Sequence, residues 1–111
     1  MNTCSLADRE CVPCRGGISP LKGQTLRALF EQLGNGWNLV EEHHLEKEFT
    51  FPDFRTALAF TNRVGAEAEN QNHHPEIVLA WGRVKISIYT HKIGGLAEND
   101  FILAARVDKL V

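Results

Sequence analysis

Ile77-Val78-Leu79-Ala80-Trp81-Gly82-Arg83-Val84-Lys85-Ile86-Ser87-Ile88-Tyr89 is the stretch that decides the fold. Residues 77–81 form a short, nearly continuous apolar run, and Gly82-Arg83 supplies a tight turn. Val84, Ile86 and Ile88 then alternate with Lys85, Ser87 and Tyr89. A period of two means side chains pointing alternately to opposite faces, the pattern of a strand with one buried side. Two such runs around a glycine turn predict an antiparallel hairpin. The apolar character of residues 77–81 places Trp81 at the end of its strand in the core.

An earlier hairpin repeats this rhythm. Leu45, Phe49 and Phe51 share one face of a strand, with His44, Glu46, Glu48 and Thr50 on the other and Lys47 as the one break. Trp37-Asn38-Leu39 opens the partner strand, so residues 37–51 predict a hairpin turning near 41–44. A helix precedes each hairpin and another follows the second. Ser19 as N-cap and Pro20 at the first helical position start one helix, with Leu26, Leu29, Phe30 and Leu33 as its stripe and Gly34 and Gly36 as its end. Asp53 is a candidate N-cap for the next, whose buried side is assigned to Phe54, Ala57, Leu58, Thr61, Val64 and Ala68. From Ala97 onward, Leu103, Val107, Leu110 and Val111 mark a last amphipathic helix. Each hairpin has one apolar side. An α+β fold of order α-β-β-α-β-β-α, a four-stranded antiparallel sheet with three helices on one face, therefore buries the most surface. Residues 19–111 are expected to form a single domain behind a flexible arm, 1–18.

The composition narrows the function classes. A chain of 111 residues supports one modest core, and a formal net charge of −2 gives no general attraction to nucleic acid or anionic membrane. There is no apolar run of spanning length and no secretory signal, which favours the cytoplasm. Cys4, Cys11 and Cys14 all fall in the arm. Their odd number gives no disulfide framework, and Cys11-Val12-Pro13-Cys14 lacks the further ligands of a structural zinc site. Reduced thiols are the expectation.

The chemistry is concentrated in Glu69-Asn70-Gln71-Asn72-His73-His74-Pro75. Pro75 biases His74 away from helical geometry, so the paired imidazoles should sit where a helix exits into a loop. A helix C-terminus decorated with histidines through the dipole is the plain alternative. His91, in a loop spanning residues 90–95, and Asp100, at the start of the last helix, are expected to fold back on this pair. His43 and His44, at the first hairpin turn, read as solvated surface. Two chemistries need several imidazoles with carboxylates: metal ligation, and metal-free proton transfer near neutral pH. Adjacent histidines rarely reach one metal together, which favours acid–base work.

The string Glu69-x3-His73-His74-Pro75-x5-Trp81-x9-His91-x8-Asp100 resembles the signature of the pterin-4a-carbinolamine dehydratases. The likeness runs over residues 20–111 and includes Gly36-Trp37 and Phe51-Pro52-Asp53-Phe54. The resemblance implies dehydration of 4a-hydroxytetrahydropterin to quinonoid dihydropterin, recycling the cofactor of aromatic amino-acid hydroxylases. It implies a homodimer or homotetramer, no metal and no organic cofactor, and in some members a transcription-cofactor or scaffold role. Carried over by position, His73 and His91 are general acids or bases. His74 holds the pterin and Glu69 modulates the imidazoles. Pro75 fixes the loop, Asp100 orients a histidine or the loop of His91, and Trp37 lines the pocket against the flat ring. One departure is Ala97, where relatives often carry a capping Ser or Thr. Alanine there forfeits about 0.5–2 kcal/mol of capping.

Overall fold

The computed structural model describes residues 19–111. Expectations about the arm and its three cysteines lie outside the described residues. The elements are α1 (Gly23–Leu33), β1 (Asn38–Val40), β2 (His44–Thr50), α2 (Phe54–Gln71), β3 (Glu76–Ala80), β4 (Arg83–Ile88) and α3 (Glu98–Asp108), with a 3₁₀ turn at His91–Ile93. This is the expected α-β-β-α-β-β-α order. The strands form one antiparallel sheet in the order β1-β2-β4-β3, so the two hairpins meet through β2 and β4. Leu45 lies opposite Ile88 and Phe49 opposite Val84 across that seam. Leu45, Phe49, Val84, Ile86 and Ile88 therefore share the face that the helices cover.

Two local devices hold the sheet to its surroundings. Phe51 N–H donates to the Gly82 carbonyl at 2.8 Å, so the β3–β4 turn docks on the end of β2. A Cβ at Gly82 would come within 2.8 Å of the Phe51 carbonyl oxygen, which only glycine avoids. Lys47, the break in the β2 alternation, points inward: its Nζ lies 4.7 Å from the Phe49 ring centroid and 2.7 Å from Asp108 Oδ1. Its charge is thereby paired and its stem packed against an aromatic face.

Several expectations need correction. α1 starts at Gly23, after an extended Lys22, because Leu21 N–H is drawn away to the Leu96 carbonyl at 2.8 Å. On α2 the buried residues are Ala57, Phe60, Val64 and Ala68, while Phe54 and Leu58 are exposed. The true stripe is turned by about 45° from the expected one, at 100° per residue. Phe60, missed in the sequence, packs between Phe49 (centroids 4.8 Å) and Phe51 (5.1 Å). α3 is buried on most sides, with Phe101, Ile102 and Ala104 joining Leu103 and Val107, whereas Val111 is exposed. Trp81 is 69% exposed, since β3 ends at Ala80 and the turn carries the indole past the edge of the sheet.

Candidate active site

Asn72, His73, His74 and Pro75 are the four residues that join α2 to β3. Asn72 closes the helix in the left-handed region (φ 53°, ψ 41°), and His73 N–H reaches back to the Ala68 carbonyl at 3.1 Å. This Schellman-like closure ties down the backbone immediately before the paired imidazoles. His91 is set by a second closed loop. Thr90 N–H donates to the Gly95 carbonyl at 2.8 Å, and Gly94 takes the left-handed turn (φ 63°) between them. Gly95 passes so close to Pro20 that an added Cβ would lie 2.6 Å from the proline Cβ. All three histidines and Pro75 line one cleft of about 490 Å³, together with Asn72, Glu76, Tyr89, Thr90, Lys92 and Asn99. His91 thus opens onto the same cleft as the histidine pair.

Asp100 lies beneath this cleft with no solvent exposure. Its Oδ1 is 2.6 Å from His73 Nε2, and its Oδ2 accepts from the Thr90 hydroxyl at 2.8 Å and from the Ala97 N–H at 2.7 Å. A carboxylate that already accepts two hydrogen bonds offers acceptor geometry to the third partner, so Nε2 of His73 is the protonated nitrogen. Nδ1 is then the His73 nitrogen left for a ligand. Asp100 thus contacts His73 directly and, through Thr90, the segment that carries His91. Ala97 makes no side-chain cap, as its sequence implied, but Asp100 supplies the returning half of a capping box to the Ala97 N–H.

His74 and Glu69 form a second pair, Nε2 to Oε2 at 2.5 Å, on the rim, with side chains 55% and 78% exposed. His91 has no hydrogen-bonding side-chain partner among the described residues; its ring rests on Tyr89, centroids 4.2 Å apart. Tyr89 is the residue missed by reading the sequence. The signal was available, because Tyr89 and His91 are two positions apart on extended chain and so face the same way, with Thr90 between them facing Asp100.

Trp37 does not line the cleft. It is 4% exposed, its indole N–H donates to Asp108 Oδ2 at 2.9 Å, and its ring meets Phe49 edge-on. Asp108 lies eight residues beyond Asp100 on α3, about 12 Å along the axis, so Trp37 and His73 are anchored about two helical turns apart. His43 is exposed and His44 half-buried at the first hairpin turn, and both rings neighbour Tyr89, His43 at a centroid distance of 4.5 Å. Among the described residues, no three His, Cys, Asp or Glu are grouped to hold a metal ion, and no helix is long and apolar enough to cross a membrane.

Residues 19–110 match the family profile described as pterin 4 alpha carbinolamine dehydratase. A provisionally named pterin-4-alpha-carbinolamine dehydratase of Rubrobacter xylanophilus is 58% identical, covering 95% of this chain and 97% of its own. Its provisionally named counterpart in Alkaliphilus metalliredigens is 47% identical, covering 95% of each chain. A Brucella melitensis structure described as a transcriptional coactivator/pterin dehydratase superposes with a TM-score of 0.76 at 29% identity, over 83% of this chain and 98% of that one. A pterin dehydratase-like protein described as a RuBisCO assembly factor in the alpha-carboxysome superposes at 0.59 and 26% identity, over 70% and 92%.

Proposed function

Because the chain belongs to the pterin-4a-carbinolamine dehydratase family, we propose that it converts 4a-hydroxytetrahydropterin to quinonoid dihydropterin and water by histidine acid–base catalysis. One observation carries the reading: three imidazoles from two separate loops open onto a single cleft of about 490 Å³, within the usual size of small-molecule sites. The reaction breaks the C4a–oxygen bond. A proton must reach the departing hydroxyl, and a ring nitrogen must lose one as the new double bond forms. His91, whose ring nitrogens have no protein partner among the described residues, delivers the proton to the hydroxyl. His73 removes the ring proton through Nδ1, while Asp100 keeps Nε2 protonated and stabilises the imidazolium that forms. His74, steadied by Glu69, holds the pterin at the rim. No metal or organic cofactor takes part. Loss of the 4a-hydroxyl is one step in recycling the pterin of an aromatic amino-acid hydroxylase, the quinonoid product then needing a separate two-electron reduction, and β3, an edge strand ending beside the exposed Trp81, suits a homodimer or homotetramer.

The test is direct. Purified protein should speed loss of the 4a-carbinolamine, keep full activity after chelation, and lose most of it in His74→Ala and His91→Ala. Unchanged rates in both variants sink the mechanism.

A second reading, a scaffold or assembly factor on this fold, is favoured by the likeness to the RuBisCO assembly factor. A preparation without dehydratase activity that nonetheless captures one stoichiometric protein partner would put that reading first.

A further inference from the structure

His73 and His74 each have a carboxylate to fix the imidazole, and His91 has none among the described residues. Its backbone is set by the 3₁₀ turn and the Thr90–Gly95 bridge, but backbone closure leaves the side chain free to rotate. The Tyr89 ring is what lies against it, at 4.2 Å and a tilt of 41°. Tyr89 is itself contacted from a remote part of the chain: the His43 ring, on the β1–β2 turn, sits 4.5 Å away with the same 41° tilt. The sheet register accounts for this meeting. Leu45 pairs with Ile88, so the next step along β2 and β4 brings His44 and Tyr89 level, with His43 one residue beyond. His43 is further steadied by His44, their Nδ1 atoms 3.0 Å apart.

We propose that Tyr89 is the positioning residue for His91, holding its imidazole by ring contact, and that His43 braces Tyr89 from the β1–β2 turn. The inference rests on the dehydratase reading for its kinetic consequence, though not for its geometry. A ring contact needs an aromatic face and no hydroxyl. Phenylalanine should therefore replace Tyr89, whereas leucine should not. Misorienting an acid removes productive geometry more than binding, so the loss falls on kcat.

The experiment pairs kinetics with NMR of the full chain. In Tyr89→Leu, kcat should fall about three- to tenfold with KM little changed, the size expected for one aromatic pair. The carbon-bound ring protons of His91 should lose their ring-current shift while those of His73 stay in place, which a general loss of structure would not produce. Tyr89→Phe should restore both readouts, and His43→Ala should move the Tyr89 and His91 signals together. An unmoved His91 signal in Tyr89→Leu overturns the proposal, as does a Tyr89→Phe protein that behaves like the leucine variant. If the wild-type protein lacks dehydratase activity, the functional reading falls while the NMR comparison still decides the ring contact. Should Tyr89→Leu fail to fold, the same signals in Tyr89→Phe and His43→Ala decide it.

Discussion

His73 hangs on Asp100: its Nε2 lies 2.6 Å from Oδ1 of a carboxylate wholly removed from solvent. The same carboxylate receives the Thr90 hydroxyl, so one buried group sets both loops that bear histidines. Asp100→Asn keeps the shape and changes the polarity. Its amide oxygen can serve Thr90 and Ala97, which turns the NH₂ toward His73 and moves the imidazole proton from Nε2 to Nδ1. Activity should fall at least tenfold with the fold intact, and nitrogen-15 spectra of the His73 ring should report the changed tautomer. Asp100→Ala leaves buried donors without an acceptor and should cost about 2–5 kcal/mol in denaturant unfolding.

The Glu69–His74 pair should behave in the opposite way. Both side chains are more than half exposed, where ion pairs contribute about 0–1 kcal/mol. Glu69→Gln should leave the unfolding midpoint nearly unmoved while raising KM, because the cost falls on how firmly His74 is held. A large loss of stability with unchanged kinetics would refute this division of roles.

Lys47 gives a prediction away from the cleft. Lys47→Met preserves the stem over Phe49 but leaves Asp108, among the described residues, with only the Trp37 N–H. Stability should drop by about 1–3 kcal/mol, the value of a hydrogen bond to a charged group. Per folded molecule, kcat should stay as in the wild type, since Asp108 and Asp100 are separated by about 12 Å of helix.

The Asp53 cap predicts a pH dependence. Its side chain accepts from the Thr56 N–H at 2.8 Å, and that bond holds the carboxyl below the usual aspartate range. A carboxyl whose value is lowered by folding contributes stability that is complete above about pH 5 and disappears as pH falls through the folded value. Asp53→Asn should flatten that acid limb of the unfolding curve and leave the neutral region little changed.

How much of this was legible in the sequence follows from which forces each element obeys. Val84, Ile86 and Ile88 alternate because a strand has two sides, and one was buried as expected. The His73-His74-Pro75 exit was legible because proline geometry is local. The stripe of α2 was not, since Phe54, Leu58 and Phe60 all fit a 3.6-residue period and only the position of Phe49 and Phe51 selects Phe60. Both tryptophans lie elsewhere than expected for a similar reason. Hydrophobicity says that an indole prefers cover, but not that Asp108 provides it for Trp37 while β3 ends one residue short of Trp81. The family pattern singles out Asp100, yet its grip on Thr90 is a contact between elements that no spacing reveals.

The β1–β2 turn supplies the last prediction. Glu41 and Glu42 have φ of 53° and 56°, and His43 N–H donates to the Val40 carbonyl at 2.8 Å, a β-turn with both central residues at positive φ inside the three-residue loop between Val40 and His44. Such turns favour Asn-Gly, and a side chain beyond Cβ is strained there. Nothing local recommends two glutamates, which also repel each other. Replacing them as Glu41→Asn and Glu42→Gly should relieve the strain and raise stability by about 1 kcal/mol, seen as a higher denaturant midpoint at unchanged slope. The hairpin register should survive, because Leu39 opposite Leu45 fixes it independently of the turn, and Leu45 opposite Ile88 keeps β2 on β4. The His43 ring should then remain on Tyr89, and the His91 proton shifts should stay at their wild-type values. A lowered midpoint would mean that the glutamates make contacts worth more than the strain they carry, and that the turn is held by its side chains.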